Sequence, residues 1–273
     1  MPQRARVSPD AGASTRVIAQ TRMTPKSGRE PNRPLALAVL LSGSGRTLEN
    51  LLRVIAKGEL AARVAVVVSS VPGVRGLQIA ADAGIPHFTV RRRDVASDDA
   101  YAEAIAATIA PFHPDLIILA GFLRRLIVRP EWQGRILNIH PALLPGGPAG
   151  RGFYGDRVHA AVLASGAKES GATVHVVDEG YDTGPIVMQA RVPVWPDDTV
   201  ETLAARVFTA ERILYPAAIR VYVATHPELF GDLSLAMIPN VAPPDGEVPT
   251  AEVPVAETAQ RERLAFSEEG TRS

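Results

Sequence analysis

Residues 35–41, Leu35-Ala36-Leu37-Ala38-Val39-Leu40-Leu41, run apolar without a break and stop at Ser42-Gly43-Ser44-Gly45. A run this short and uniform suits a strand buried on both faces, because a strand with one solvated face would place a polar residue at every second position. Such strands belong to parallel sheets, whose crossover helices cover both faces. Behind the glycine loop, Leu48, Leu51, Leu52 and Ile55 recur at helical spacing, so the loop opens onto a helix N-terminus. That terminus offers free N–H groups and a favourable dipole to an anion. Ser44, Gly45, Arg46 and Thr47 therefore suit a phosphate. A glycine turn that merely joins strand to helix fits the same residues. Leu48 stands where a dinucleotide fingerprint has its third Gly, and the next strand, 64–68, ends in Ser69-Ser70 rather than an acidic residue, which argues against a nicotinamide cofactor.

The remaining chain repeats the strand–helix alternation. A helix is predicted at 74–83, a strand at 87–90, a helix at 101–110 capped from Ser97-Asp98-Asp99, and a buried strand at 114–121. Strands and helices at these intervals form right-handed βαβ units. The predicted architecture is α/β, a Rossmann-like open and mostly parallel sheet with helices on both faces. Helices at 156–165 and 200–222 and strands at 173–177 and 186–190 complete it.

Ile136-Leu137-Asn138-Ile139-His140-Pro141 delivers an amide and an imidazole to a turn, on one face of a strand because residues two apart share a face. Pro141 ends the ladder, having no N–H. A donor amide beside a titratable ring suits acyl transfer. Taken alone, such a pair is more often a satisfied polar pair than a catalytic one. Two loops frame it: the glycine-rich 146–155, readable as a lid or as an ordinary surface excursion, and the acidic turn Asp178-Glu179-Gly180-Tyr181-Asp182-Thr183-Gly184-Pro185, whose carboxylates need a partner if buried.

With 29 basic and 29 acidic residues the formal charge is zero, so no global field draws the 273-residue chain to nucleic acid or to a membrane surface. Absence of Cys excludes disulfides and thiolate metal sites and suits a reducing cytosol, so cytoplasmic localisation is expected. Residues 1–34, rich in Arg, Ser, Thr and Pro, are expected to form a disordered leader, with Met23 a candidate alternative start. Residues 35–232 would be the catalytic domain, and 233–273 a disordered acidic, Pro-containing tail.

Ser42-Gly43-Ser44-Gly45, Leu119-Ala120-Gly121-Phe122, Asn138-Ile139-His140-Pro141-Ala142-Leu143-Leu144-Pro145 and Asp178 through Pro185, in this order, resemble the folate-dependent formyltransferases, above all the branch that formylates phosphoribosylglycinamide. The resemblance implies formyl transfer from 10-formyltetrahydrofolate, a co-substrate, to the amine of 5'-phosphoribosylglycinamide in de novo purine synthesis, with neither metal nor nicotinamide. It implies Asn138 as oxyanion donor, a protonated His140, and Asp182 paired with His140. Ser44, Gly45, Arg46 and Thr47 would hold the substrate phosphate, and Glu211 the glycinamide end. Leu123, Arg124, Arg125, Leu126, Asn138, Val177, Asp178 and Gly180 would line the pterin pocket. The expected partners are small molecules, with no nucleic acid and no membrane, in a monomer or homodimer. The chain departs from the family pattern in Ser44 and Thr47, in Asp98-Asp99 near the folate tail where Arg91, Arg92 and Arg93 could substitute, and in its long 146–155 loop. Sugar-amine and methionyl-tRNA formyltransferases and formyltetrahydrofolate hydrolases share the core and remain alternatives. A non-catalytic binding protein would have no need of Asn138, His140 and Asp182 together.

Overall fold

The computed structural model describes residues 33–231, 233 and the two-residue strand 250–251. The expected leader and tail otherwise lie outside the described residues. Strand β1 (Leu35–Leu41) is buried along its whole length and sits inside a sheet of order β3-β2-β1-β4-β5-β6-β7-β8. Its neighbours are β2 (Ala62–Ser69), β3 (His87–Thr89), β4 (Leu116–Leu119), β5 (Ile136–His140), β6 (Glu169–Val176), β7 (Ile186–Pro193) and the short β8 (Thr250–Ala251). The strands from β3 to β5 run parallel, as expected. Beyond β5 the sheet turns mixed, since β6 is antiparallel to both β5 and β7.

Alternation along β1 explains why it is apolar throughout. Leu37, Val39 and Leu41 enter one core together with Leu48 and Leu51 of α1 (Arg46–Ala56) and Leu214 and Ala218 of α5 (Val200–Thr225). Ala38 and Leu40 enter a second core on the opposite face, with Tyr101 and Ile105 of α3 (Asp98–Ile109). Burial of each such side chain stabilises the fold by roughly 1.5–3 kcal/mol, so both faces of β1 are committed to packing and its chemistry is confined to its end.

Helix α2 (Arg75–Asp82) connects β2 to β3, α4 (Asp156–Ala164) precedes β6, and α6 (Pro227–Phe230) follows α5. Ser97 caps α3 by accepting from the Ala100 N–H at 3.0 Å, within the predicted capping cluster. Helix α5 begins on a capping box between Thr199 and Thr202 and continues past Pro216. Proline cannot bond the carbonyl four residues back, that of Arg212. The Asn50 side chain of α1 donates to that carbonyl at 2.9 Å, which keeps the helix intact and ties α1 to α5. Tyr215, on the same helix, donates to the Leu119 and Leu137 carbonyls at 3.1 and 2.8 Å and so fixes α5 against the ends of β4 and β5.

Strand order reverses at β1: the chain runs outward through β2 and β3, then returns to place β4 on the other side. In open α/β sheets the crevice beyond the strand ends at such a point is where ligands bind.

Candidate active site

A cleft of about 850 Å³ lies there, lined by the loop after β1, the turn after β4, the end of β5 and parts of loop 146–155, α4 and α5. The Gly45 position at the start of α1 has φ +72, and a Cβ there would sit 2.5 Å from the Gly76 Cα. Only glycine suits both the left-handed backbone and the close approach. The loop is held from behind, since Gly76 N–H donates to the Gly43 carbonyl at 3.1 Å and Arg75 donates to the Ser44 carbonyl at 3.1 Å. No side chain caps α1, so its first N–H groups remain free to meet a ligand. Arg46 stacks its guanidinium 4.1 Å above the Phe208 ring of α5. Ser44, Gly45, Arg46, Thr47 and Glu211 all line the cleft.

Glu211 is half-buried in the cleft wall, and desolvation pushes its carboxyl up to about 7 against the opposing pull of Arg46. A carboxyl that changes charge near neutrality, within electrostatic reach of a basic residue in a cleft, has its protonation set by those surroundings.

At the other end, Asn138 and His140 share one face of β5, and Asp182 reaches them from the turn between β6 and β7. Asp182 Oδ2 lies 3.5 Å from His140 Nδ1, and Oδ1 lies 3.5 Å from the Asn138 amide nitrogen. Asp182 adopts φ 56, a left-handed conformation that Asp tolerates better than most residues. Burial raises its carboxyl pKa, but the His175 ring, the charge of His140 and the Gly150 N–H outweigh this and leave it below the ordinary carboxylate value. The Gly150 N–H donates to Oδ2 at 3.0 Å. His140 is buried, and its Nε2 donates to the Pro148 carbonyl at 2.7 Å. Loop 146–155 is therefore seated on the site from two sides. Both ring nitrogens of His140 face oxygen acceptors.

The sequence reading did not single out His175. It is the antiparallel partner of Asn138 in β6, and its Nε2 lies 3.1 Å from the Asn138 amide nitrogen and 3.6 Å from Asp182. Its Nδ1 bonds the Val176 carbonyl at 3.0 Å. One signal was present, a lone imidazole in an otherwise apolar strand, but only the cross-strand register puts it beside Asn138. His159, also missed, is buried on α4 and lines the cleft.

Of the expected pterin-pocket residues, Leu123, Arg124, Arg125, Leu126, Asn138, Val177 and Gly180 line the cleft. Asp178 does not; it accepts from Gly180 N–H at 3.0 Å and from the Thr183 hydroxyl at 2.8 Å, shaping the turn from behind. Ser42 couples the two ends by bonding Ser70 at 2.7 Å and accepting from Leu123 N–H at 2.9 Å. Arg92 also faces the cleft, paired at 2.5 Å with Asp98, while Arg91 pairs with Asp94 outside it. Among the described residues there is no group of three or more His, Asp or Glu that could hold a metal ion, and no helix is long and apolar enough to cross a membrane.

An open α/β sheet with an anion-suited glycine loop at one end of a cleft and an amide, imidazole and carboxylate at the other defines a group-transfer site. Residues 35–219 match the formyl transferase family, and the chain belongs to it. It is 46% identical over 200 residues to the phosphoribosylglycinamide formyltransferase of Mycobacterium tuberculosis, covering 72% of this chain and 88% of that one. It is 45% identical over 193 residues to the trifunctional purine biosynthetic protein adenosine-3 of Drosophila melanogaster, spanning 68% of this chain but only 14% of that protein. Its fold resembles glycinamide ribonucleotide transformylase 1 of Symbiobacterium toebii, with TM-score 0.64 and 38% identity over 71% of this chain and 89% of that one.

Proposed function

We propose that this formyl transferase moves the formyl group of 10-formyltetrahydrofolate to the primary amine of 5'-phosphoribosylglycinamide, a cytoplasmic step of de novo purine synthesis. The observation that carries the reading is the meeting of Asn138, His140 and Asp182 within 3.5 Å contacts in the cleft that also holds the Gly45 loop. The 46% identity to a phosphoribosylglycinamide formyltransferase supports the same substrate.

The amine nitrogen forms a bond to the formyl carbon, and the carbonyl electron pair moves onto oxygen. Collapse of that oxyanion breaks the bond to the folate nitrogen, which takes up the proton the amine gives away. Asn138 and His140 serve the oxyanion. One Asn138 N–H is taken by His175 at 3.1 Å, whereas its contact to Asp182 at 3.5 Å is long enough to be surrendered. His140 donates through Nε2, so the Pro148 carbonyl has to withdraw from its 2.7 Å contact as the oxyanion arrives. Asp182 keeps Nδ1 occupied and the ring oriented, and His175 orients the amide. Exposed Leu123 and Tyr181 offer apolar surface for the flat pterin ring. Main-chain N–H groups at the start of α1, with Thr47 and Arg46, receive the phosphate, and Glu211 receives the glycinamide end.

Incubating the full chain with 10-formyltetrahydrofolate and phosphoribosylglycinamide should yield N-formyl product and tetrahydrofolate in equal amounts. Preferential formylation of initiator methionyl-tRNA or of a sugar amine, or release of formate without an amine, would overturn this assignment.

A further inference from the structure

The buried face of α4 carries Val158, His159 and Val162. Val162 enters the main core, whereas His159 stands in the cleft wall. Its side chain belongs to a residue only 5% exposed, and its Nδ1 is enclosed without a hydrogen-bond partner. A buried polar nitrogen left unpaired typically costs about 1–3 kcal/mol, a cost that an apolar ring of similar shape would avoid. Packing therefore gives no reason for an imidazole here, and the residue lines the cleft.

Its surroundings place it along the substrate. His159 lies within electrostatic reach of Arg46, at the phosphate end, and of His140, at the transfer end. Between the phosphate and the reacting nitrogen of phosphoribosylglycinamide lie the sugar and the amide that joins it to the amine, and the sugar is the part next to the phosphate. Burial lowers the pKa of the ring and the two cations add to this, against the pull of Asp156 on the same helix, so the ring is neutral. A neutral imidazole offers one donor and one acceptor, which matches a hydroxyl, itself donor and acceptor. It matches a phosphate poorly, and Arg46 with the α1 terminus already provides for that group. A half-turn about Cβ–Cγ exchanges Nδ1 with a ring carbon, so either edge can be polar without moving α4.

We propose that His159 is a substrate-binding residue of the ribosyl subsite, its ring taking from a sugar hydroxyl the hydrogen bond that the protein does not supply. The inference rests on the formyl-transfer reading above. It is tested with His159→Phe and His159→Gln in the full chain, using phosphoribosylglycinamide and its 2'- and 3'-deoxy analogues, with thermal melts alongside. Wild type should prefer the ribosyl substrate over at least one analogue in kcat/KM by about three- to tenfold, the worth of one neutral hydrogen bond. His159→Phe should melt at or above the wild-type temperature, raise KM for the ribosyl substrate by the same factor at nearly constant kcat, and lose the preference. His159→Gln should recover part of it. An unchanged KM, or a preference as large in His159→Phe as in wild type, would overturn the inference. Should His159→Phe not fold, the preference of His159→Gln decides: full loss or partial retention supports the contact, and a value equal to wild type with unchanged KM refutes it. Absence of any formyl transfer by wild type would instead sink the functional reading.

Discussion

The two ends of the cleft are built from different material. At the Gly45 end the polar groups offered to the cleft are main-chain N–H groups at the start of α1, fixed by backbone contacts to α2 such as Gly76 N–H to Gly43 carbonyl at 3.1 Å. At the His140 end they are side chains drawn from two strands and a turn, held by a neighbouring side chain or by the backbone of loop 146–155: Asn138 by His175, Asp182 by the Gly150 N–H, and His140 by the Pro148 carbonyl. A backbone site has few parts that side-chain substitution can remove, and its weak point is steric. A side-chain network loses function at every member, and its members are not independent.

The largest effects should therefore fall at the transfer end. His140→Ala and Asn138→Ala are each expected to lower kcat by about 10²–10³, the usual worth of a preorganised oxyanion donor, with KM for the phosphoribosylated amine changed little. Asp182→Ala should fall in the same range, and combining it with Asn138→Ala should cost less than the product of the two. Steady-state kinetics on the three single variants and the double variant check this. Strictly multiplicative losses would show that the contacts at 3.5 Å do not form a working unit.

The phosphate end should break through geometry instead. Gly45→Ala forces a Cβ to within 2.5 Å of the Gly76 Cα at a left-handed φ of +72. Strain of that kind costs on the order of 1–3 kcal/mol, which should appear as an increase in KM for the amine of about ten- to a hundredfold with kcat largely kept. An equal loss in kcat with unchanged KM would mean that the loop serves the transfer step, and the contrast between the two ends would fall.

How far this contrast could be read in the sequence follows from the same difference. The Gly45 loop was legible because its parts are contiguous: an apolar run, glycines, then a helical period. Strand β1 was placed to the residue for the same reason. Asn138 and His140 share a strand face by simple alternation, but their link to Asp182 came only from resemblance, because it joins residues 44 positions apart through a turn. His175 went unread because its role depends on the antiparallel register that sets it opposite Asn138, and a slip of one residue would point it to the other face. Asp178 was placed in the pterin pocket by resemblance alone, and no local pattern announces that its carboxylate accepts from the Gly180 N–H and the Thr183 hydroxyl within the turn.

Glu211 is the acidic side chain of α5 that lines the cleft, in the proposed function the partner of the glycinamide end, and so its signature should be pH. Its carboxyl is held at about 7, above the ordinary 4.5, so the folded protein retains that proton longer than the unfolded chain. The sign follows: stability tied to this group is complete below about 4.5 and declines as pH rises toward 7, by at most about 1.4 kcal/mol per pH unit. In the folded protein the carboxylate forms around pH 7, and KM for the amine should fall several-fold between pH 6 and 8. Glu211→Gln should flatten both profiles. A KM profile as steep in Glu211→Gln as in wild type would assign the titration to another group.

The smallest effect is expected where the loop is braced from outside. Arg75 donates to the Ser44 carbonyl at 3.1 Å and to Glu49 at 2.8 Å, with both ionic side chains more than half exposed. Exposed pairs contribute about 0.2–1 kcal/mol, and the Gly76 to Gly43 bond remains when this one is removed. Arg75→Ala should thus raise KM for the phosphoribosylated amine about twofold, leave kcat unchanged, and matter less at high salt, where the wild-type pair is screened. Measuring KM for both proteins at low and high ionic strength separates two ways of holding a backbone site. Convergence of the two values in salt means the loop is set mainly by its glycine contacts. A tenfold or larger effect that persists in salt would show that a side chain governs the phosphate end after all, and the two ends would then differ in degree rather than in kind.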